Sequence, residues 1–176
     1  MTRVGYTLAV TTYEPTGATL DALNDDAALP AGFRHLFYRV RIGYGQPVLQ
    51  AAGEAIMTWE MHRKAGVRPR PSAPRAAPGV TVVSNVPISA PCVVVWVLER
   101  PDRIGFGYGT TDGHPFSGEE SFTTWIDAAG DVWFSVIAFS RPARWFTRLA
   151  GPVAPLFQRV YARHLARVLR RLAGGA

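Results

Sequence analysis

The amino-acid sequence predicts an α+β fold in which a curved antiparallel β-sheet of about six strands wraps around a long C-terminal helix. Five strand-like runs follow one another between residues 80 and 140, and no helical pattern separates them, which is typical of an antiparallel meander. An amphipathic pattern then extends from residue 152 to about residue 173, and its apolar stripe needs an apolar surface to cover. Because the chain has 176 residues, we expect a single domain over residues 1–176.

The chain before the meander predicts a lead-in, a strand and a helix. Residues 1–32 are rich in turn-forming residues and predict an irregular segment with one helical turn at Leu20–Ala28. The β-branched and aromatic run Arg34–Ile42 predicts a strand. Next, Gln46–Lys64 predicts one continuous helix, because a proline stands in its first turn and Gly66 follows its end.

The helix predicted at Gln46–Lys64 has one apolar side, which includes Trp59. We expect Trp59 to pack in the core, although in a concave fold it could equally form the floor of a pocket. His62 lies near the end of the helix, where a cation complements the partial negative charge of the last carbonyl groups. We therefore expect His62 to be such a charge complement and not a ligand-binding residue.

The body of the domain is expected over residues 33–141, and its second half is the meander. Residues 67–79 are proline-rich and predict a loop or an extended connector. Both faces of the last predicted strand are apolar, so that strand is covered on both sides, or covered on one side and curved around a cavity. The strands are predicted at Val80–Val86, Cys92–Glu99, Ile104–Thr111, Glu119–Asp127 and Val132–Ser140.

One strand of the meander has glycine at every second position. Gly105, Gly107 and Gly109 share one face of the run Arg103–Thr111. Glycine weakens a strand, so three in alternation indicate that something bulky lies against that face. A packed helix, aromatic side chains from a neighbouring strand, or a ligand could be this bulky neighbour. A face made of glycines would also let the C-terminal helix lie close to the sheet.

The C-terminal residues 142–173 predict two helices, Pro142–Ala150 and a longer one from Pro152 to about Ala173. The net charge of +6 arises here, because residues 141–176 hold arginines and no acidic residue. Arginine supplies nearly all the cations of the chain, and alanine, glycine and proline are plentiful. A coding bias towards GC-rich codons produces the same composition, so the charge is weak support for a nucleic-acid partner.

Several classes of protein are not indicated by the sequence. Cys92 is the only cysteine, which excludes an intramolecular disulfide and a thiolate metal cluster and favours a buried hydrophobic role. The four histidines lack metal-ligand spacing, and no phosphate-binding or dinucleotide motif is present. We therefore predict no metal and no cofactor. No signal peptide or transmembrane stretch is recognisable, so a cytoplasmic protein is expected.

Four segments of the chain together resemble a known family. They are FGYGTTDGHPFSGEESF, DVWFSVIAFSRPARWFTRLAGP, LPAGFRHLFYRVRIGYG and WEMHRKAG. In these blocks the sequence resembles the bacterial and plant family catalogued as domain of unknown function 1990, over about residues 13–172. The resemblance implies a START-like, helix-grip fold, in which a curved sheet wraps a C-terminal helix around a cavity. It implies no particular reaction.

The most polar cluster lies between two predicted strands, in the segment Thr110–Glu120. Its candidate catalytic residues are His114, Glu119 and Glu120, because a histidine oriented by a carboxylate can act as a general acid or base near neutral pH. Alternatively, the glycines of the segment build turns and His114 hydrogen-bonds the loop. The turn-rich composition favours this structural role.

Three functions remain open from the sequence, and the first is favoured. A binding protein would hold a small hydrophobic or amphipathic molecule, or a lipid, in a cavity under the last helix. An enzyme on the same scaffold, of cyclase or hydrolase type, would use His114 with Glu119 or Glu120. An interaction module would place the arginines of the last helix on an anionic membrane or nucleic acid. The predicted ligand-binding residues are Trp59, Tyr108, His114, Trp125, Phe139 and Arg141.

Overall fold

The protein's computed structural model describes residues 10–24, 27–85, 89–143 and 153–174. In chain order its helices and strands are α1 (Ala18–Asn24), β1 (Arg34–Tyr44), α2 (Gln46–Met57), α3 (Glu60–Lys64), β2 (Pro69–Pro71), β3 (Thr81–Asn85), β4 (Ser89–Arg100), β5 (Arg103–Thr110), β6 (Phe116–Ile126), β7 (Asp131–Pro142) and α4 (Val153–Leu172).

The seven strands form one antiparallel sheet in the order β1-β7-β6-β5-β4-β3-β2. The α+β fold class is therefore confirmed, and each of the six predicted strands is present with ends shifted by a few residues. The additional strand is β2, a short piece of the proline-rich connector that pairs with β3 through Arg70 and Val83. Proline is tolerated there because β2 is an edge strand, and an edge strand needs only part of its backbone hydrogen bonds.

The helix predicted at Gln46–Lys64 is interrupted between α2 and α3. Trp59, between them, has a φ of 65°, a left-handed conformation that bulky residues rarely adopt. The turn leaves Trp59 and His62 only 1% and 3% exposed in the core. The role expected for His62 at a helix end is therefore wrong. Burial, and to a smaller extent the charge of Arg63, lowers the pKa of His62 to about 4, so His62 is neutral at pH 7.

Helices or loop segments pack against both faces of the sheet. The inner face, which carries Phe106, packs against α2, α3 and α4 in the main core. The outer face is covered by α1 and the segment before it, which includes Tyr13. In β7, Phe134 lies in the main core while Ile137 and Phe139 lie in the outer cluster. Of the two alternatives predicted for this strand, the structure therefore agrees with cover on both sides.

The helices predicted near the two ends of the chain agree with the structure in part. The helical turn expected at Leu20–Ala28 is α1, which starts at Ala18 and ends at Asn24, so that Ala27 and Ala28 are not part of it. The long C-terminal helix is α4. A helix does not begin at Pro142, because Pro142 is the last residue of β7; residues 144–150 of that predicted helix lie outside the described residues.

The glycine-bearing face of β5 lies on the outer side of the sheet, away from α4. A Cβ atom added to Gly107 would lie 2.3 Å from Nε1 of Trp96, and one added to Gly109 would lie 2.2 Å from the hydroxyl of Tyr13. Aromatic side chains from the neighbouring strand and from the N-terminal segment therefore fill this face. The expectation that the glycines bring the C-terminal helix close is wrong, because α4 covers the opposite face.

We expect Gly107→Ala to lower the free energy of unfolding by about 1–3 kcal/mol, because the added methyl group would displace the Trp96 ring from a closely packed site. Urea denaturation followed by circular dichroism measures the loss. The control is the same substitution in a Trp96→Leu background, where the methyl group has room and should cost less. An equal loss in both backgrounds would show that the Trp96 ring does not set the requirement for glycine.

Candidate functional site

Two adjoining cavities of about 120 and about 200 Å³ lie on the inner face of the sheet, beside α4. Together they reach the lower end of the range of roughly 300–1,000 Å³ that small-molecule sites occupy. Both are bordered by Glu120 and Gln158. We call the two together the Glu120 cavity. Its side walls include Cys92, Tyr108, His114, Phe116, Ser140 and Tyr161.

Strand pairing explains why these side chains meet. Tyr108 of β5 pairs with Glu120 of β6, and Glu120 pairs with Ala138 of β7. Residues directly opposite each other in an antiparallel pair project from the same face, so the three lie side by side under α4. Because Ala138 carries only a methyl group, the row leaves open space beside the carboxyl group of Glu120.

Glu120 places a carboxyl group with a pKa near 7 in the wall of this cavity. The Tyr108 hydroxyl donates a hydrogen bond of 3.0 Å to Oε2 of Glu120. Burial raises the pKa of Glu120 to about 7, although the Tyr108 hydrogen bond acts in the opposite direction. A carboxyl group with such a pKa is present in both protonation states near neutral pH, so it can donate or accept a hydrogen bond.

Three neighbours of Glu120, namely Tyr108, Tyr161 and Cys92, stay neutral at pH 7. Burial raises the pKa of Tyr108 and Tyr161, and the nearby Glu120 carboxylate raises both further. The same two causes raise the pKa of the Cys92 thiol. Cys92 is therefore the buried thiol that the sequence predicts, and a thiol with a raised pKa is a poor nucleophile.

His114 borders the Glu120 cavity but is engaged with its own loop. Its Nδ1 lies 2.9 Å from the backbone nitrogen of Phe116, which donates to it, and 2.8 Å from the backbone oxygen of the same residue. Burial lowers the pKa of His114, which keeps the ring neutral. These contacts are those of the structural alternative, in which His114 hydrogen-bonds the loop.

Glu119 lies on the other face of β6 and serves the N-terminal segment. It is 2% exposed. Its carboxylate accepts hydrogen bonds from the Tyr13 hydroxyl at 2.6 Å, the Gly17 backbone at 2.7 Å and the Thr19 backbone at 2.9 Å. The Thr19 hydroxyl also donates to it. The sequence contained the signal that separates the two carboxylates, since adjacent residues of a strand project to opposite faces.

The structure does not bring the other predicted site residues to the Glu120 cavity as a group. Trp59 packs edge-on against Phe106 in the main core. Trp125 lies on the outer face beside Arg39. Phe139 borders the cavity, but its ring contacts the rings of Tyr13 and Phe33 on the outer side. The exposed Arg141 places its guanidinium group 4.7 Å from the centre of the Phe33 ring.

Tyr161 and Gln158 of α4 border the cavity and were not among the predicted site residues, and the same holds for Arg34, Phe116 and Ser140. Tyr161 and Gln158 could not be recognised from the sequence, because the buried side of the helix was predicted from its apolar residues and these two residues are polar. Within the described ranges, no group of three or more His, Cys, Asp or Glu side chains is arranged to hold a metal ion. None of the helices that the structure describes has the length and apolar character needed to cross a bilayer.

Solved structures of other proteins share this fold. A hypothetical protein of Helicobacter pylori matches with a TM-score of 0.60 and 8% identity, covering 94% of this chain and 99% of that one. Norcoclaurine synthase from Thalictrum flavum, solved in complex with dopamine and hydroxybenzaldehyde, matches with a TM-score of 0.54 and 8% identity, covering 80% and 86%. At such low identity the likeness concerns the fold alone, and that fold is of the helix-grip type.

Sequence relatives are found in bacteria and plants. A UPF0548 protein of Deinococcus radiodurans is 38% identical over 177 residues, which cover 92% of this chain and 87% of the relative. A UPF0548 protein of Arabidopsis thaliana is 30% identical over 143 residues, which cover 76% and 70%. The family described as "Domain of unknown function (DUF1990)" matches residues 12–168. These matches show that the chain belongs to the DUF1990 family.

Proposed function

We propose that the protein binds a small, mainly apolar molecule in the Glu120 cavity, with the Glu120 carboxyl group as the polar anchor. The observation that carries this proposal is a buried carboxyl group in the wall of a cavity lined mainly by apolar and neutral polar residues, with Arg34 and Glu119 also in its lining. Small-molecule sites have this character, with apolar walls and a few polar groups that orient the ligand.

The hydrogen bonding of Glu120 indicates what the ligand would offer. Oε2 accepts from Tyr108, and a carboxyl group has acceptor capacity on its second oxygen as well. A ligand with a hydroxyl or amino group at one end would supply a donor to this carboxyl group. A carboxylate that accepts a charge-assisted hydrogen bond from an ammonium group binds more strongly than one that accepts from a hydroxyl group.

The structural neighbours support a binding function at the level of the fold. Norcoclaurine synthase holds dopamine and hydroxybenzaldehyde on the same type of scaffold. Molecules of that size, with one ring and a polar end, match the combined volume of the Glu120 cavity.

Isothermal titration with benzyl alcohol and benzylamine tests the proposal. We expect both probes to bind the wild-type protein, and benzylamine to bind more tightly as the pH rises through about 7, because Glu120 then loses its proton. Ala138→Phe should abolish binding of both probes, because the larger ring fills the cavity. Glu120→Gln should weaken benzylamine by at least about tenfold, the effect of losing about 1.4 kcal/mol.

The matched control is Asp112→Asn, which removes an exposed carboxylate from the segment Thr110–Glu120. It should leave both affinities unchanged. Wild-type protein that binds neither probe would refute the proposed function. So would a folded Ala138→Phe variant that binds as tightly as the wild type.

A second candidate function is acid–base catalysis at the same cavity. The observation that favours it is the pKa of Glu120 near 7, which suits a general acid or base at neutral pH. In that case Glu120→Gln should abolish turnover of a substrate while its binding persists. If binding and turnover by the Glu120→Gln variant fell by the same factor, the result would favour the binding role alone.

A further inference from the structure

A row of four cationic and aromatic side chains crosses the outer face of the sheet. Arg41, Trp133, Trp125 and Arg103 stand at paired positions on β1, β7, β6 and β5. The two indole rings stack with centres 6.5 Å apart and planes inclined by 17°. Arg39, one step along β1 on the same face, places its guanidinium group 4.7 Å from the centre of the Trp125 ring.

The three arginines differ in their partners. Arg41 forms an ion pair of 2.6 Å with Asp131. In the described parts of the chain, Arg39 and Arg103 have neither an ion pair nor a hydrogen bond, and each contacts the face of Trp125, with Arg103 at 5.9 Å. Stacking on an indole ring holds a guanidinium group in place and leaves its N–H donors free.

These two arginines border a groove of about 300 Å³ between the outer face and α1. The rest of the groove is mostly apolar, with Leu23 of α1 and Ile137 of β7 in its walls. Phe37 extends the apolar part and is 62% exposed. The groove therefore has a cationic end, where planar donors are available, and an apolar end.

We propose that this outer groove is a second binding site, which takes an anion carried on a flat apolar group, such as an aromatic phosphate or carboxylate. Guanidinium groups bind phosphate and carboxylate oxygens through paired hydrogen bonds. The ring of the ligand would lie on the apolar wall formed by Leu23, Phe37 and Ile137. This site offers guanidinium groups, whereas the Glu120 cavity offers the carboxyl group of Glu120 as the anchor, so the two sites would favour different ligand groups.

Isothermal titration with phenyl phosphate tests this proposal. We expect saturable binding that weakens as sodium chloride is added, because both contributing charges are near the surface. Inorganic phosphate should bind at least about tenfold more weakly, because it lacks the apolar group. The double variant Arg39→Gln/Arg103→Gln should bind phenyl phosphate at least about tenfold more weakly than the wild type.

Arg41→Gln is the matched control, since Arg41 belongs to the same row but is already paired with Asp131. It should change the affinity by less than about twofold, because the guanidinium group of Arg41 is already engaged by Asp131. A wild-type protein without saturable binding would overturn the proposal, as would equal weakening by Arg41→Gln and by the double variant. Trp125→Leu gives an independent measurement, because it removes the surface on which the arginines stack and should weaken binding even though every charge remains.

Discussion

Glu119→Ala is expected to lower the free energy of unfolding by about 3–5 kcal/mol, the largest effect that we expect from one side chain of this protein. The Glu119 carboxylate accepts hydrogen bonds from the Tyr13 hydroxyl and from the backbone of Gly17 and Thr19. The substitution would leave these buried donors without an acceptor and would release the segment that covers the outer face. Urea denaturation at pH 7 measures the change.

The neighbouring Glu120→Gln variant is the control for this prediction. It replaces a carboxyl group whose pKa is about 7, so about half of the molecules already carry a neutral group at that pH. We expect it to raise the free energy of unfolding at pH 7, because a neutral amide removes the stability that the wild-type protein loses when Glu120 ionises. Equal losses for the two variants would contradict the assignment of Glu119 to a structural role.

The second large effect concerns pH, because His62 and Glu120 are expected to act in opposite directions. The pKa of His62 is lowered from 6.5 to about 4 in the folded protein, so the unfolded chain takes up this proton first and stability falls as the pH drops from 6.5 to 4. The pKa of Glu120 is raised from 4.5 to about 7, so its contribution is complete below 4.5 and is lost as the pH rises to 7.

Each of the two contributions amounts to about 3 kcal/mol, since one pKa unit corresponds to about 1.4 kcal/mol. In the wild-type protein they offset each other between about pH 4.5 and 6.5. In Glu120→Gln, stability should therefore fall more steeply with acid than in the wild type. In His62→Phe, stability should fall as the pH rises from 4.5 to 7. Unfolding curves of the three proteins across this range measure the differences, and three parallel pH profiles would refute both assignments.

The strands and their faces could be predicted because the sequence pattern that defines them is local. Ile104, Phe106 and Tyr108 alternate with glycine, and this alternation requires no knowledge of the rest of the fold. What covers each face could not be read in the same way. Tyr13 lies against Gly109, and nothing near either residue in the sequence indicates that contact.

The candidate site was predictable in its location and less so in its chemistry. The segment Thr110–Glu120 was identified from its polar residues, and it does border the cavity through His114 and Glu120. His62 was misjudged because the left-handed turn at Trp59 is imposed by tertiary packing and not by helix propensity. The distinction between Glu119 and Glu120 required the structure, although strand alternation implied that only one of them faces the cavity.

The hydrogen bonds of Glu119 also determine when the chain can complete its fold during synthesis. Tyr13 and Thr19 are separated from Glu119 by 106 and 100 residues. At about 5–20 residues per second, the ribosome adds Glu119 roughly 5–20 s after Tyr13. The N-terminal segment is thus translated early but finds its acceptor only when β6 has been made. Until then Trp96 of β4 can already lie over Gly107, but Tyr13 lacks the acceptor that holds it over Gly109.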